Sequence, residues 1–257
     1  MDAPAPAKVI HIKRWLPYWA VYQADLGQTL RSWAYRASVL IALLAAVGYL
    51  LYRVGVYREA GVIQPASKLI SELLRWSVIG GVALVIVVTG GSISSERGIL
   101  ADSVLSRGIS RYQYFLGKLH ARLTTVIGTF LIMATIALTA TYFFLHEDMS
   151  LYGCLLAVAT VIALLIATTS CGVTISAITN STILGIAFLW IAIYGIGFAL
   201  ALLPSEYPTP DRVLSNLPNI LRGLYDWRST GKLIGCSLAA SFLVALIGLG
   251  YFARRDV

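Results

Sequence analysis

Across residues 149–205 the chain carries no Asp, Glu, Lys or Arg. A soluble domain averages about 25% charged residues, so a water-facing surface does not run this far without one. The polar tetrapeptide Thr179-Asn180-Ser181-Thr182 divides the stretch in two, and it reads as a tight turn. Each half is long enough to cross a bilayer, which takes roughly 20 mostly apolar residues as a helix. The rest of the chain agrees: 58% of its residues are hydrophobic and 12% are charged. The solvent for much of its surface is therefore lipid.

Six stretches qualify as spans: residues 37–52, 76–94, 123–145, 151–177, 183–203 and 233–253. The first is short before a charge, but Arg36 and Arg53 can snorkel. The predicted fold is an all-α membrane protein with six transmembrane helices in a single domain, residues 1–257. Its parts are a tail and interfacial amphipathic helix (1–36), a cytoplasmic loop (95–118) and short re-entrant helices on the outer side (204–232). The first long apolar run begins only near Ala37, after a Pro/Ala-rich and then mixed polar start, so no cleavable signal peptide is expected.

An even number of spans puts both termini on one side. That side would hold twelve Lys and Arg residues, among them Lys118 and Arg122, and the other side eight. The positive-inside rule then places both termini in the cytoplasm and the protein in the cell (inner) membrane. The net charge of +8 comes from basic residues lying between apolar runs. It is read as orientation and contact with anionic headgroups of membrane lipids, with no nucleic-acid partner. Cys154, Cys171 and Cys236 lie inside apolar runs, are odd in number and form no CxxC, which argues for packing and against a disulfide framework or a metal site.

Ahead of the first span, Trp15, Trp19, Tyr22, Leu26, Leu30 and Trp33 recur at spacings of three and four. They trace one apolar stripe on a helix, with Gln23, Asp25, Gln28 and Arg31 on other faces. Aromatic residues on such a stripe suit the headgroup region, so this helix is expected flat on the cytoplasmic leaflet. Pro204, Pro208, Pro210 and Pro218 break the segment between spans five and six. Its apolar residues are expected in short helices that dip back into the outer leaflet where protein covers them.

Simple catalytic signatures are absent. No GxxxxGK[ST] occurs, and neither Gly117-Lys118 nor Gly231-Lys232 has the upstream glycine that a phosphate loop requires. The three histidines form no HExxH, and no pair of carboxylates falls within a span. The sequon at Asn180 faces the cytoplasm on this topology and is read as a turn. Threonines crowd spans three and four, from Thr124 to Thr139 and from Thr160 to Thr174. Hydroxyls can line a polar path, but they more often bond back to their own helix backbone. Gly80-Gly81, Gly90-Gly91, Gly185, Gly195 and Gly197 permit close helix approach.

The most informative segment joins spans two and three. After Glu96 and Gly98, Ile99, Leu100, Val104 and Leu105 are apolar, while Asp102, Ser103, Ser106 and Arg107 are polar, and Gly108 ends the pattern. This reads as a short amphipathic helix. The residues alone leave open whether it docks in a groove on a cytoplasmic partner or lies on the headgroups.

The segment resembles the hallmark of the type-2 ABC transporter (ABC-2) permeases, a family that includes the nitrous-oxide-maturation permease. Their pattern of an acidic residue, a glycine, a short helix ending in Leu-Ser, then Ser-Arg and Leu-Gly-Lys is matched here. The matching residues are Glu96, Gly98, Leu100, Leu105-Ser106, Ser110-Arg111 and Leu116-Gly117-Lys118. Gly108 stands where the family usually has proline. Asp25-Leu26 with Leu30-Arg31-Ser32, and the ending Phe252-Ala253-Arg254-Arg255-Asp256, are similar to the family's two ends. The resemblance implies a permease subunit without enzymatic activity, paired as a homodimer, or with a relative, and joined to two copies of a separate cytoplasmic ABC ATPase. That partner would hold ATP and Mg, and this chain would hold no cofactor and no metal. The coupling helix would be residues 96–107. The residues implied to contact the ATPase are Glu96, Gly98, Ile99, Leu100, Val104, Leu105, Ser106, Arg107, Ser110 and Arg111. Such permeases usually export. The alternatives are a secondary carrier or channel, which usually needs ionisable groups within the membrane, and a membrane scaffold.

Overall fold

The computed structural model describes residues 15–60, 65–94, 109–144, 148–202, 204, 207, 209–224 and 226–254. These residues form nine helices and no strand: α1 (Leu16–Arg31), α2 (Trp33–Ala60), α3 (Ala66–Thr89), α4 (Arg111–Phe144), α5 (Leu151–Ile178), α6 (Thr182–Ala201), α7 (Pro210–Ser215), α8 (Leu217–Leu221) and α9 (Trp227–Arg254). Six of them, α2 to α6 and α9, are long and apolar enough to cross a membrane. The chain is a multi-pass helical membrane protein with six spans.

Several helices run past the apolar stretches that announced them. The third span was expected from residue 123, yet α4 starts at Arg111, so residues 111–118, read as loop, are its first turns. At a rise of about 1.5 Å per residue α4 is about 51 Å long, against a hydrocarbon core about 30 Å thick. The start of α4 is set by a reciprocal cap. The Gln113 amide donates to Ser110 Oγ, and the Ser110 amide donates to Gln113 Oε1, both at 3.2 Å. Each satisfies a backbone donor that the first turn leaves without a partner. Likewise α3 begins at Ala66 rather than at residue 76. Asp148 holds its first turn, accepting from the Ser67 amide at 2.9 Å and from the Ser67 hydroxyl at 2.7 Å. A carboxylate at a helix N-terminus also meets the positive end of the helix dipole.

α5 is the central strut, packing on α3, α4, α6, α8 and α9. Glycines set two of its contacts. A Cβ on Gly153 would lie 2.1 Å from the Ile220 carbonyl oxygen, and one on Gly172 would lie 2.1 Å from Thr89 Oγ1. The proline-broken segment forms α7 and α8, and their Val213, Leu217, Ile220 and Leu221 are buried in the main core with Ile70, Leu74 and Ala157. α8 closes on Gly223, whose φ of +85° only glycine adopts without strain. Around it the Gly223 amide donates to the Ile220 carbonyl and the Leu224 amide to the Asn219 carbonyl, the paired bonds of a Schellman end.

The threonines of the spans mostly bond to their own helices. Thr125, Thr129, Thr135, Thr139, Thr160 and Thr169 each donate to the carbonyl four residues back. Thr174 instead donates to the Val244 carbonyl of α9 at 3.1 Å, and Ser170 and Ser241 share a hydrogen bond of 2.7 Å. The hydroxyls therefore serve helix packing.

Candidate functional site: an ion joint at the base of the loop

The stripe expected from Trp15 to Trp33 does not run along one helix: α1 ends at Arg31, Ser32 is extended and Trp33 opens α2, while Tyr22 and Leu26 are half-buried. Trp15, Trp19, Leu30 and Trp33 are exposed, and the buried residues of α1 are Val21, Asp25 and Thr29. These three fall four residues apart, so they share one face of the helix. That face lies on the extra turns of α4, where Gly117 lets Val21 approach: a Cβ there would sit 2.9 Å from Val21 Cγ1. Tyr22 donates to Thr124 Oγ1 at 3.2 Å, and the Tyr18 hydroxyl lies 3.0 Å from His120 Nδ1. Burial, with the neighbouring Tyr22 hydroxyl second, pushes the Tyr18 phenol above its ordinary value.

At the centre of this contact are three buried charges. Asp25 is 4% exposed, Lys118 2% and Arg122 8%. Asp25 Oδ1 accepts from Arg122 Nη2 at 2.7 Å and from Lys118 Nζ at 3.3 Å. Arg122 Nη1 donates to Thr29 Oγ1 at 2.7 Å, and that hydroxyl donates to the Asp25 carbonyl at 2.8 Å. The Lys118 ammonium also donates to the Ser92 carbonyl at 2.6 Å. Burying each ion costs several kcal/mol in lost hydration, so these groups persist there only because they satisfy one another. Among the described residues, Asp25 Oδ2, Ser92 Oγ and Arg122 Nε have no hydrogen-bond partner.

An apolar cluster is packed on the same helices: Val21, Ile93, Tyr114, Phe115, Leu119, Val173, Ala177 and Phe252, with the Tyr114 ring 5.3 Å from Lys118 Nζ. It joins α1, the exit of α3, α4, α5 and α9. Ser92 lies just past the end of α3. The Ile93 and Ser94 amides both donate to Ser176 Oγ of α5, at 3.1 and 3.2 Å. On the far side of the loop, Arg111 Nη1 donates to the Ala253 carbonyl of α9 at 3.2 Å. Both stems of the loop are thus fixed, one through Lys118 and Ser176, the other through the Ser110 cap and Arg111.

Of the residues expected to contact an ATPase, Ser110 and Arg111 sit at this second stem. Glu96, Gly98, Ile99, Leu100, Val104, Leu105, Ser106 and Arg107 lie outside the described residues. The joint itself was not foreseen. By sequence Lys118 and Arg122 count as loop charges that orient the chain, and Asp25 as a residue off the apolar stripe. A usable signal was present: Val21, Asp25 and Thr29 repeat every four residues on α1, and Lys118 and Arg122 do so on α4.

A second polar cluster sits at the opposite end of the bundle, where Asp148 Oδ2 accepts from Arg222 Nε at 3.0 Å. Burial alone would raise the Asp148 carboxyl. The Ser67 hydroxyl and amide and the Arg222 guanidinium outweigh it and hold the group below its ordinary value. The described residues contain no cluster of His, Cys, Asp and Glu able to hold a metal ion. No protein-family model and no curated protein matches the chain.

Proposed function

We propose that the chain is the membrane subunit of an ATP-driven transporter of the ABC-2 permease kind. The single observation that carries the reading is the ion joint. A loop resembling a coupling helix is anchored at both stems to α1, α4, α5 and α9, through buried ions and hydrogen bonds whose rupture is costly. A displacement imposed on residues 96–107 by a cytoplasmic ATPase is then delivered to four helices at once. On this reading two copies of the chain pair with two ATPases that bind ATP and Mg. Both termini are cytoplasmic, the membrane is the cell (inner) membrane, and transport is outward. A secondary carrier is less well supported, because Lys118 and Arg122 lie in the first third of α4 and not at mid-span, where coupled carriers bind their ions.

The test is the pair Leu100→Ala with Leu105→Ala. A buried side chain of this kind contributes about 1.5–3 kcal/mol, so the double variant is expected to weaken ATPase association or uncouple ATP turnover from changes at the far end of the bundle. Unchanged ATPase affinity together with unchanged coupling would remove the loop as the transmitting element. The chain purified alone is expected to hydrolyse no ATP, and robust turnover by it would sink the reading altogether.

A further inference from the structure

Between α2, α3 and α4 lies a cavity of about 590 Å³. This is within the range of small-molecule sites, roughly 300–1,000 Å³ with mostly apolar walls and a few placed polar groups. Along α2 it runs from Ser38 to Tyr49, about 16 Å at the helical rise. Its depth follows from the same ruler. Trp33 and Arg53, the interfacial residues at the two ends of this span, are about 30 Å apart, the thickness of the hydrocarbon core. The cavity therefore lies wholly at hydrocarbon depth. Among the described residues α2 buries none of its apolar span, so nothing described covers the cavity on its fourth side.

Next to the Tyr49 end, just beyond the residues that line the cavity, lies an ion pair. Arg53 Nη2 bonds Glu72 Oε2 at 2.7 Å, Arg53 Nε donates to the Tyr49 hydroxyl at 3.1 Å, and that hydroxyl donates to Glu72. The Arg53 and Glu72 side chains keep 22% and 34% of their surface exposed, so a cation and an anion are presented side by side. A guanidinium has five donors, and this one engages two of its nitrogens here.

We propose that the cavity is a binding site for one zwitterionic phospholipid. One acyl chain fills the apolar channel, the phosphate pairs with Arg53 and the ammonium with Glu72. Chain and headgroup then match channel and ion pair in order along α2, and the lipid enters sideways from the bilayer. The inference goes beyond ATP coupling and does not depend on it.

The experiment uses the full chain in vesicles of phosphatidylethanolamine and phosphatidylglycerol. A phosphatidylethanolamine probe carries a diazirine at mid-chain, and crosslinked peptides are mapped after illumination. Labelling is expected to concentrate on residues 38–49 and 73–87, well above the exposed face of α6. Gly80 lines the cavity, and a Cβ added there meets nothing within 4 Å, so Gly80→Phe can start into the channel without a clash and places its ring there. It is expected to cut the labelling about tenfold, the loss of roughly one decade in affinity. Ala42→Leu is a milder filling variant with the same expected direction. Gly195→Phe on α6, also in open space, should leave labelling unchanged. Excess unlabelled phosphatidylethanolamine should compete better than phosphatidylglycerol. Labelling no higher than on α6, insensitivity to both filling variants, or equal competition by the two lipids would overturn the site. So would disulfide crosslinking between copies of an Ala42→Cys variant through this cavity, because a second copy would then be the occupant.

Discussion

Asp25 is the residue on which the joint turns. Its carboxylate is the anion shared by Lys118 and Arg122, and removing one partner from a buried ion group typically costs about 3–5 kcal/mol because the others keep their burial and lose their compensation. Asp25→Ala is expected to destabilise the chain by that order, seen as a lower melting temperature in detergent. Asp25→Asn should cost less, since it retains an oxygen for Arg122. Equal, negligible losses for both would show that the charges contribute nothing. Asp148 makes a pH-dependent contribution of opposite location. Its folded-state value is depressed from the ordinary 3.8, so its stabilisation is fully present above that value. It is lost as the pH falls from there through the lowered folded value. Acid unfolding of wild type and of Arg222→Ala, compared below about pH 4, should show a shallower acid loss in the variant. Parallel acid curves would mean that Arg222 does not hold the carboxylate down.

Among the elements, the contacts of α5 depend on whether a methyl group fits. A Cβ on Gly153 would press on the Ile220 and Leu221 carbonyl oxygens, at 2.1 and 2.8 Å, and neither backbone atom can step aside without moving α8. Gly153→Ala is expected to lose about 1–3 kcal/mol, the usual cost of overpacking. Gly128→Ala on α4 meets nothing within 4 Å and should be neutral or slightly stabilising, since glycine inside a helix costs roughly 0.5–1 kcal/mol relative to alanine. Thermal melts of the two variants decide it. An equal effect would mean that α8 does not sit against α5. The same logic explains α1: its line of Val21, Asp25 and Thr29 turns inward because α4 supplies partners for it, while Trp15 and Trp19 are left exposed.

At the scale of the whole molecule, six spans place the ion joint and the Asp148 cluster at opposite ends of the bundle. Single cysteines at Tyr112, exposed near the joint, and at Leu224, exposed beside α8, test this once Cys154, Cys171 and Cys236 have been replaced. A membrane-impermeant thiol reagent is expected to reach the two positions from opposite sides of sealed vesicles, with Tyr112→Cys on the cytoplasmic side. Labelling of both from one side would break the span count.

The number and order of the spans were determined by the sequence alone, because the free energy of moving apolar side chains into lipid is a local sum over roughly twenty residues. Helix ends were not. Glu72, Arg111 and Lys118 fall outside the spans expected from residues 76 and 123, yet the helices run through them, and each charge finds a partner. Those partners are remote in the chain: Lys118 and Asp25 are 93 residues apart, and Arg122 and Asp25 are 97 apart. Only the packing of α1 on α4 brings them together. The repeat of Trp15, Trp19 and Leu30 similarly marked an apolar side of the chain ahead of the first span, while tertiary structure alone decided that the line of Val21, Asp25 and Thr29 would be the buried one, with Gln23, Gln28 and Arg31 left exposed. Hydropathy measures a residue's affinity for its solvent, and in α1 the deciding solvent was another helix.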